Sequence, residues 1–596
     1  MNSVPRSEYP RPSFVKDDWI NLNGSWQFAI DPGDSGEKQG WVEKEFDSTI
    51  TVPFCPESEL SGIGNTDFLN AVWYRKIVQI PDNWLGKRIL LHFQAVDFDS
   101  TVWIDGKESY RHRGGFTPFT VDLGIAEKTA YTIVLRARDP KFRKPAGKQS
   151  DLYETYGCRY TRTTGIWQTV WLEAVSPVYM KRPRITPQRS SKSFLLEVPV
   201  SANRAGYKVQ AVLRSNGKVI ATAEANADLD MTPALTLTVP AEDYREWSIE
   251  DPYLYDIDLA LTDANGQVQE KAACYAGMRS VQIDGNKFLI NGKRVFQRLV
   301  LDQGYYPDGI MTAPSEDALI NDIKLSQAAG FNGARLHEKV FEERFLYHAD
   351  RLGYLVWGEF GDWGFDGSHL PYAEQAFCQP AATLITQWLE ALERDYSHPS
   401  LIGWCAVNES GRRYYPTPDN ITALDDALHG CFLAAKAADR TRPVLDSSGW
   451  AHRVREADVY DTHDYEQDPE KFAEHYKDLY NHAAYSNMYD IGLGYNGQPF
   501  FNSEFGGIRW NPAKVNGDSS WGYGQPPQTL EEFYKRFEGL ISVLLDDERM
   551  FGYCYTQLTD VFIEENGIYY FDRTPKFDLQ KIYDIQSRAA AYEEKH

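Results

Sequence analysis

The chain has 596 residues, too many for one hydrophobic core, so about two to four domains are expected. Hydrophobic residues make up 42% and charged residues 25%, an ordinary globular composition. The formal charge of −23 argues against nucleic acid and anionic membrane surfaces as partners, because both would repel it.

Aromatics are abundant at 14%, with 16 Trp and 36 Tyr. Aromatic rings stack on the C–H faces of sugars, which leans toward a carbohydrate partner, although large β-rich proteins use many aromatics too. The cysteines at 55, 158, 274, 378, 405, 431 and 554 form no CxxC pair, so neither a zinc site nor a disulfide framework is signalled. The start, Met1-Asn2-Ser3-Val4-Pro5-Arg6, is polar, and there is no signal-peptide core and no transmembrane run. Cytoplasmic residence is the expectation.

Residues 1–180 read as all-β. Ile89, Leu91 and Phe93 alternate with polar neighbours, and Thr101-Val102-Trp103-Ile104 runs into an Asp105-Gly106 turn. This pattern suits a jelly-roll β-sandwich. Residues 181–283 read as a second β unit. Tyr207, Val209, Ala211 and Leu213 alternate, Asn216-Gly217 supplies a hairpin turn, and Tyr255, Ile257, Leu259 and Leu261 repeat the pattern. The length suits an immunoglobulin-like sandwich.

From 284 to 596 strands alternate with helices. The candidate strands are Val295–Asp302, Gly333–His337, Tyr354–Phe360, Leu401–Glu409, Pro443–Ser448, Val459–Tyr465, Pro499–Glu504 and Phe551–Thr559. Helices are expected over Ser315–Ala329, Leu530–Leu545 and Asp578–Glu594. Eight such units predict a (β/α)8 TIM barrel. Chemistry in that fold sits where the strands end. Asp302, His337, Glu359, Glu409, Tyr465 and Glu504 fall there, with Tyr555 in the last strand.

Glu409 and Glu504 close apolar runs, and a carboxylate there is costly without a partner or a task. Strands four and seven face each other across the barrel. Two rim glutamates there suit glycoside hydrolysis, in which a retaining enzyme holds its carboxyl groups roughly 5–5.5 Å apart. One of the two would have a raised pKa. The competing reading is a pair of structural ion pairs to Arg335 and Arg412.

Several segments resemble glycoside hydrolase family 2, the family of β-galactosidases, β-glucuronidases and β-mannosidases. They are Gly165-Ile166-Trp167-Gln168-Thr169-Val170-Trp171-Leu172-Glu173, Trp247-Ser248 with Pro252-Tyr253-Leu254-Tyr255, Gly277-Met278-Arg279, Asn332-Gly333-Ala334-Arg335-Leu336-His337 and Asn408-Glu409-Ser410. The resemblance covers essentially the whole chain. It implies Glu409 as acid/base, Glu504 as nucleophile, Asn408 as donor to the sugar 2-hydroxyl and Tyr465 as hydrogen-bond donor to the nucleophile. It implies Arg335 and His337 framing the nucleophile and Tyr555 at a sugar platform. Asp302 falls in a sugar-contacting stretch, His463 near Tyr465, and Glu359 near the acid/base, where some relatives bind Mg²⁺. Trp363 and Trp510 could line an aglycone site.

Two departures bear on the sugar. Many relatives have Asp where this chain has Arg159, a cation that could pair with an anionic sugar. β-Glucuronidases carry Asn-x-Lys where this chain has Glu564-Glu565-Asn566. The expected activity is that of a retaining exo-β-glycosidase, β-galactosidase-like by family frequency. The alternatives are a β-galacturonidase or atypical β-glucuronidase, an α-L-arabinopyranosidase, and a non-catalytic carbohydrate-binding protein on a dead barrel. The last is disfavoured because both carboxylates remain. No organic or redox cofactor is implied, a Mg²⁺ or Ca²⁺ stays open, and a homo-oligomer is expected.

Overall fold

The computed structural model describes residues 4–141, 144–363, 381–409, 418–481, 483–486, 491–512 and 520–594. Ser410 and Arg412 lie outside the described residues.

The N-terminal part is a pair of antiparallel sheets. One has six strands, ordered Ser48–Val52, Gly24–Ile30, Ala71–Gln79, Ala130–Arg138, Asp99–Ile104 and Lys107–Arg113. The other has four, ordered Trp19–Asn21, Val170–Val175, Arg88–Phe93 and Phe119–Ile125. Ile89, Leu91 and Phe93 are fully buried in the core between them, with Trp26, Tyr74 and Val102. Asp105 and Gly106 take φ of +53° and +78°, the left-handed pair that a tight hairpin requires.

The next unit stacks a four-stranded sheet (Lys218–Asn226, Lys208–Ser215, Tyr255–Thr262, Val268–Ala276) on a three-stranded one (Arg184–Gln188, Ser193–Glu197, Ala234–Thr238). Val209, Ala211 and Leu213 point into that core, as their alternation predicts. Asn216 and Gly217 turn the hairpin with φ of +49° and +80°.

The remainder is a TIM barrel. Its strands are Gln297–Asp302 (β1), Gly333–Leu336 (β2), Leu355–Glu359 (β3), Leu401–Cys405 (β4), Val444–Leu445 (β5), Tyr460–Asp464 (β6), Phe500–Gly506 (β7) and Met550–Thr556 (β8). They pair in parallel in the order β5-β4-β3-β2-β1-β8-β7-β6. The seam between β5 and β6 is closed by side chains. Ser448 Oγ donates to Asp461 Oδ2 at 2.9 Å, and the Gly449 N–H reaches both Asp461 oxygens at 3.0 and 3.1 Å. This explains why β5 has two residues rather than the expected run to Ser448. Beyond Leu445 the chain is polar; it pairs again with the end of β4 at Ser448, and toward β6 side-chain bonds stand in for a ladder.

Aromatic rings plug the bore. Trp357 stacks on Phe501 at 5.3 Å, Phe501 on Phe551 at 4.8 Å, and Phe551 on Phe288 at 5.0 Å. Phe288 comes from a small antiparallel sheet (Val281–Asp284, Lys287–Ile290, Lys293–Arg294) that precedes β1. The expected terminal helix, Asp578–Glu594, is two helices, Leu579–Gln586 and Ala591–Glu594. Tyr592 Oη donates to Phe288 O at 2.7 Å and accepts from Phe288 N at 3.0 Å, which ties the second piece to the plug and turns the chain.

Candidate active site

Glu504 lies on β7, whose register slips against both neighbours, between Thr462 and His463 and between Asn502 and Phe505. Such an irregularity re-aims a side chain. Asn502 faces outward and donates to Tyr476 Oη at 2.5 Å, while Glu504 faces the barrel mouth. Its carboxylate accepts from Tyr465 Oη at 2.5 Å and from Arg335 Nη1 at 3.3 Å.

Glu409 follows β4 in a left-handed conformation, φ +51°. A non-glycine residue there costs about 1–2 kcal/mol. Its N–H is fixed to Ser448 O at 2.9 Å. The side chain is 15% exposed, against 4% for Glu504, so Glu409 is the carboxylate nearer solvent.

His463 stands between them. Its Nδ1 is 2.9 Å from Glu409 Oε1 and 3.3 Å from Glu504 Oε2, and its Nε2 is 2.9 Å from Ser448 Oγ. A carboxylate is the strongest acceptor near Ser448, so the hydroxyl proton goes to Asp461. Ser448 Oγ is then open to accept from His463 Nε2, while Nδ1 faces the two carboxylates. Burial opposes a charge on the ring, but Glu504 and Glu409 outweigh it and raise the His463 pKa. The donor atoms of Glu409, His463 and Glu504 all lie within 4.8 Å of one another. The same three groups have the ligand types and spacing of a cation site.

The expectation of a raised carboxyl pKa does not hold for Glu409. Burial pushes it up, yet the hydrogen bond and charge of His463, aided by Lys148 and Arg335, bring it below the ordinary value. The competing ion-pair reading is half met: Arg335 does pair with Glu504, and it also binds Glu359.

Glu359 is linked to Glu504 through their shared partner Arg335. It holds Arg335 and accepts from His337 Nδ1 at 3.0 Å. Burial, then the charges of Lys148 and Arg335, keep His337 well below its usual pKa. Its Nε2 is therefore a bare acceptor, buried without a partner. Asn408 accepts from Arg335 Nη2 at 3.4 Å and leaves its Nδ2 buried and unbonded. One unmet acceptor and one unmet donor thus face the same mouth, the arrangement a polyhydroxylated ligand satisfies.

Two expected contacts are not there. Side chains on β1 alternate, so Leu301 faces the bore and Asp302 the helices. Asp302 accepts from Gly304 N at 2.9 Å, and burial beside Asp322 raises its pKa to about 7. Tyr555 is turned outward by the irregularity of β8 between Met550 and Tyr553. It packs on Phe505 at 5.6 Å and on Phe537 at 5.1 Å, in the helix layer. The β8 side chain that reaches the site is Thr556, whose Oγ1 is 3.0 Å from Tyr465 Oη.

Trp363 donates from Nε1 to Asn408 O at 3.2 Å and forms one wall. Above it sit the Arg159 guanidinium at 4.3 Å and Lys148 Nζ at 4.0 Å. Trp510 is held by its backbone, whose N–H donates to Glu565 O at 3.0 Å. Glu564 accepts from Tyr160 Oη and from Asn566 Nδ2 at 3.3 Å. Sequence reasoning missed Lys148, Ser448, Asp461, Thr556 and Tyr523, whose ring lies flat on Tyr465 at 3.4 Å. None of them had a usable local signal: counting by twos from Phe551 in the bore selects Tyr555, and the irregularity of β8 between Met550 and Tyr553 brings Thr556 inward instead.

The model of glycosyl hydrolases family 2 matches residues 178–279, and that of the family's TIM barrel domain matches residues 281–590. A β-glucuronidase of Paenibacillus borealis is 25% identical over 416 residues, 65% of this chain and 67% of that protein. A β-galactosidase of Halalkalibacterium halodurans is also 25% identical, over 65% of this chain and 41% of its own length. Among solved structures, a β-glucuronidase of Ruminococcus gnavus in complex with D-glucuronic acid shares the fold with a TM-score of 0.74 at 20% identity, covering 97% of this chain and 99% of that one. A β-galacturonidase of Eisenbergiella tayi bound to galacturonate does so with a TM-score of 0.72 at 19% identity, covering 98% and 100%. With the barrel match alone taking in more than half of the sequence, the chain belongs to glycosyl hydrolases family 2, a family of glycoside hydrolases.

Proposed function

We propose that the protein is a retaining exo-β-glycosidase, with Glu504 as nucleophile and Glu409 as acid/base. The observation that carries this reading is the closeness of the pair, one oxygen of each lying within 4.8 Å of the other. Retaining enzymes hold the two carboxyl groups about 5–5.5 Å apart, and inverting ones spread them to admit a water. Glu504 attacks the anomeric carbon while Glu409 protonates the leaving oxygen. Tyr465 and Arg335 hold the attacking carboxylate in place, and Asn408 Nδ2 is free to donate to a sugar hydroxyl. Once Glu504 is esterified it no longer competes for His463 Nδ1. The His463 proton then serves Glu409 alone and favours its ionised form, the base needed to activate water. The first-formed sugar anomer, read by NMR during hydrolysis of an aryl β-glycoside, tests the mechanism. A β product is expected, and an α product would end the double-displacement reading.

For the sugar, the two cations on Trp363 favour a β-uronide over the neutral β-galactoside suggested by family frequency. Cations at the wall of a buried site attract an anionic substrate and would bind hydroxyls as donors only. The uronide-processing relatives named above support this reading. Comparing kcat/KM on aryl β-glucuronide, β-galacturonide and β-galactoside tests it. Preference for the galactoside would overturn it.

A further inference from the structure

We infer that Lys148, carried into the barrel mouth by the N-terminal β-sandwich, grips the carboxylate of a uronic acid in the glycone position. The inference rests on the uronide reading and goes further by naming the residue and the domain that supply specificity.

The loop bearing Lys148 is pressed against the barrel. Ala146 N–H donates to Trp363 O at 2.8 Å and Gly147 N–H to Gly361 O at 3.1 Å. Gly147 has φ +60°, and a Cβ there would lie 2.2 Å from Glu338 O, so only glycine permits the approach. On the other side the Lys148 carbonyl accepts from Tyr160 N at 2.8 Å. The backbone is thus pinned on both flanks of the side chain.

Lys148 is only 6% exposed, yet among the described residues its amine makes no hydrogen bond or ion pair. Its one direct contact is the Trp363 ring. A buried ammonium without an acceptor is costly, and the cost is relieved if the acceptor arrives with the ligand. Burial works against the charge, but Cys158, Glu564, Glu504 and Glu409 hold it on and leave the pKa above the ordinary lysine value. The amine therefore stays cationic while facing the reacting pair. Arg159 shares the same ring and adds a second positive charge. Glu564 is the charge that would oppose a uronate. Its oxygens are already engaged by Tyr160 and Asn566, and burial raises its pKa, which weakens the repulsion. The Glu564-Glu565-Asn566 stretch has no lysine, so the gripping cation has moved from the loop after β8 to the N-terminal domain.

The alternative role for Lys148 is to balance the charges of Glu409 and Glu504 without touching substrate. Matched substrates separate the two. We would measure kcat/KM for the wild type, Lys148→Met and Lys148→Arg on aryl β-galacturonide against β-galactoside, and on β-glucuronide against β-glucoside. Lys148→Met is expected to lower turnover of the preferred uronide roughly 100-fold, the scale of losing one partner of a buried charge pair. The matched neutral sugar should fall at least about tenfold less, and Lys148→Arg should restore part of the preference. Equal losses on both sugars, or an unchanged ratio, would overturn the inference while leaving the uronide reading intact. A wild type that prefers neutral sugars would instead sink the uronide reading, and the inference with it. Lys148→Gln replaces the Met variant if that one does not fold, as judged by its melting temperature.

Discussion

The floor and the mouth of the barrel are built from the same strands and obey opposite rules. At the floor, Trp357, Phe501, Phe551 and Phe288 stack in an aromatic column, in which Trp357 Nε1 donates to Gln297 Oε1 at 2.9 Å and Gln297 Nε2 is buried without a partner. At the mouth, Arg335, Glu359, Glu409, His463 and Glu504 crowd together, and His337 Nε2 and Asn408 Nδ2 are left without partners. The floor is held chiefly by ring packing, with Gln297 Nε2 as an unmet atom beside it. The mouth carries left-handed backbone at Glu409 and unmet polar atoms, the features that a bound ligand relieves. Only a few residues along β3 and β7 separate the two regimes.

Crossed substitutions test whether that division is real. Glu504→Gln should lower kcat on an aryl β-glycoside by about 10³-fold or more, the scale of losing a nucleophile, while the denaturation midpoint moves far less. Arg335 still has Glu359 and Ser503 O to bind in that variant. Near-native turnover would remove Glu504 from the proposed role. Phe551→Ala should do the reverse. Truncating a fully buried aromatic costs about 3–5 kcal/mol, measurable by urea unfolding, with the pH profile of kcat unchanged in shape. A shifted profile would mean that floor and mouth are coupled.

The sequence was most legible where one rule governed. Alternation in Val209, Ala211 and Leu213 predicts the sandwich face, and apolar runs ending in Glu409 and Glu504 predict the pair. It was least legible where chain segments distant in sequence meet. Ser448 and Asp461 read as ordinary loop and strand residues, and nothing local says that they fix the protons of His463. Lys148 is one cation in a loop, and its burial depends on Trp363 and Gly147 meeting across domains. Asp302 and Tyr555 fail for another reason. Proximity to a strand end places a residue near the mouth, but the facing decides: the two-residue period sends Asp302 outward on β1, and the irregularity of β8 after Met550 sends Tyr555 outward.

Within the mouth, His463 is the finest control. Glu409 must be protonated to act as acid, so kcat/KM should fall as pH rises through its pKa. His463 keeps that pKa below the ordinary value, against the opposing effect of burial. Removing the imidazole charge raises it again, so His463→Gln should move the basic limb of the pH profile to higher pH. Its optimum should fall roughly tenfold or more, the scale of one charge-assisted hydrogen bond. A basic limb that stays in place, or moves down, would show that His463 packs beside the pair without setting its protonation.

The smallest effect is expected at Tyr555, and it probes the boundary between the bore and the helix layer. Its hydroxyl is buried and makes no hydrogen bond of good geometry, only a weak interaction with the Ile508 backbone, and its ring is wedged among Phe505, Phe537 and Gly506. Deleting a hydroxyl so poorly satisfied removes a desolvation penalty and loses little. Tyr555→Phe should therefore leave kcat/KM within about twofold and stability unchanged or raised by roughly 0.5–1 kcal/mol. A sugar platform would behave differently only if its hydroxyl touched substrate, so Tyr555→Leu completes the test. It keeps the site but loses the ring, and the loss should appear in unfolding measurements rather than in KM. A raised KM at native stability would put Tyr555 back against the sugar and reverse the assignment of which β8 residues face the mouth.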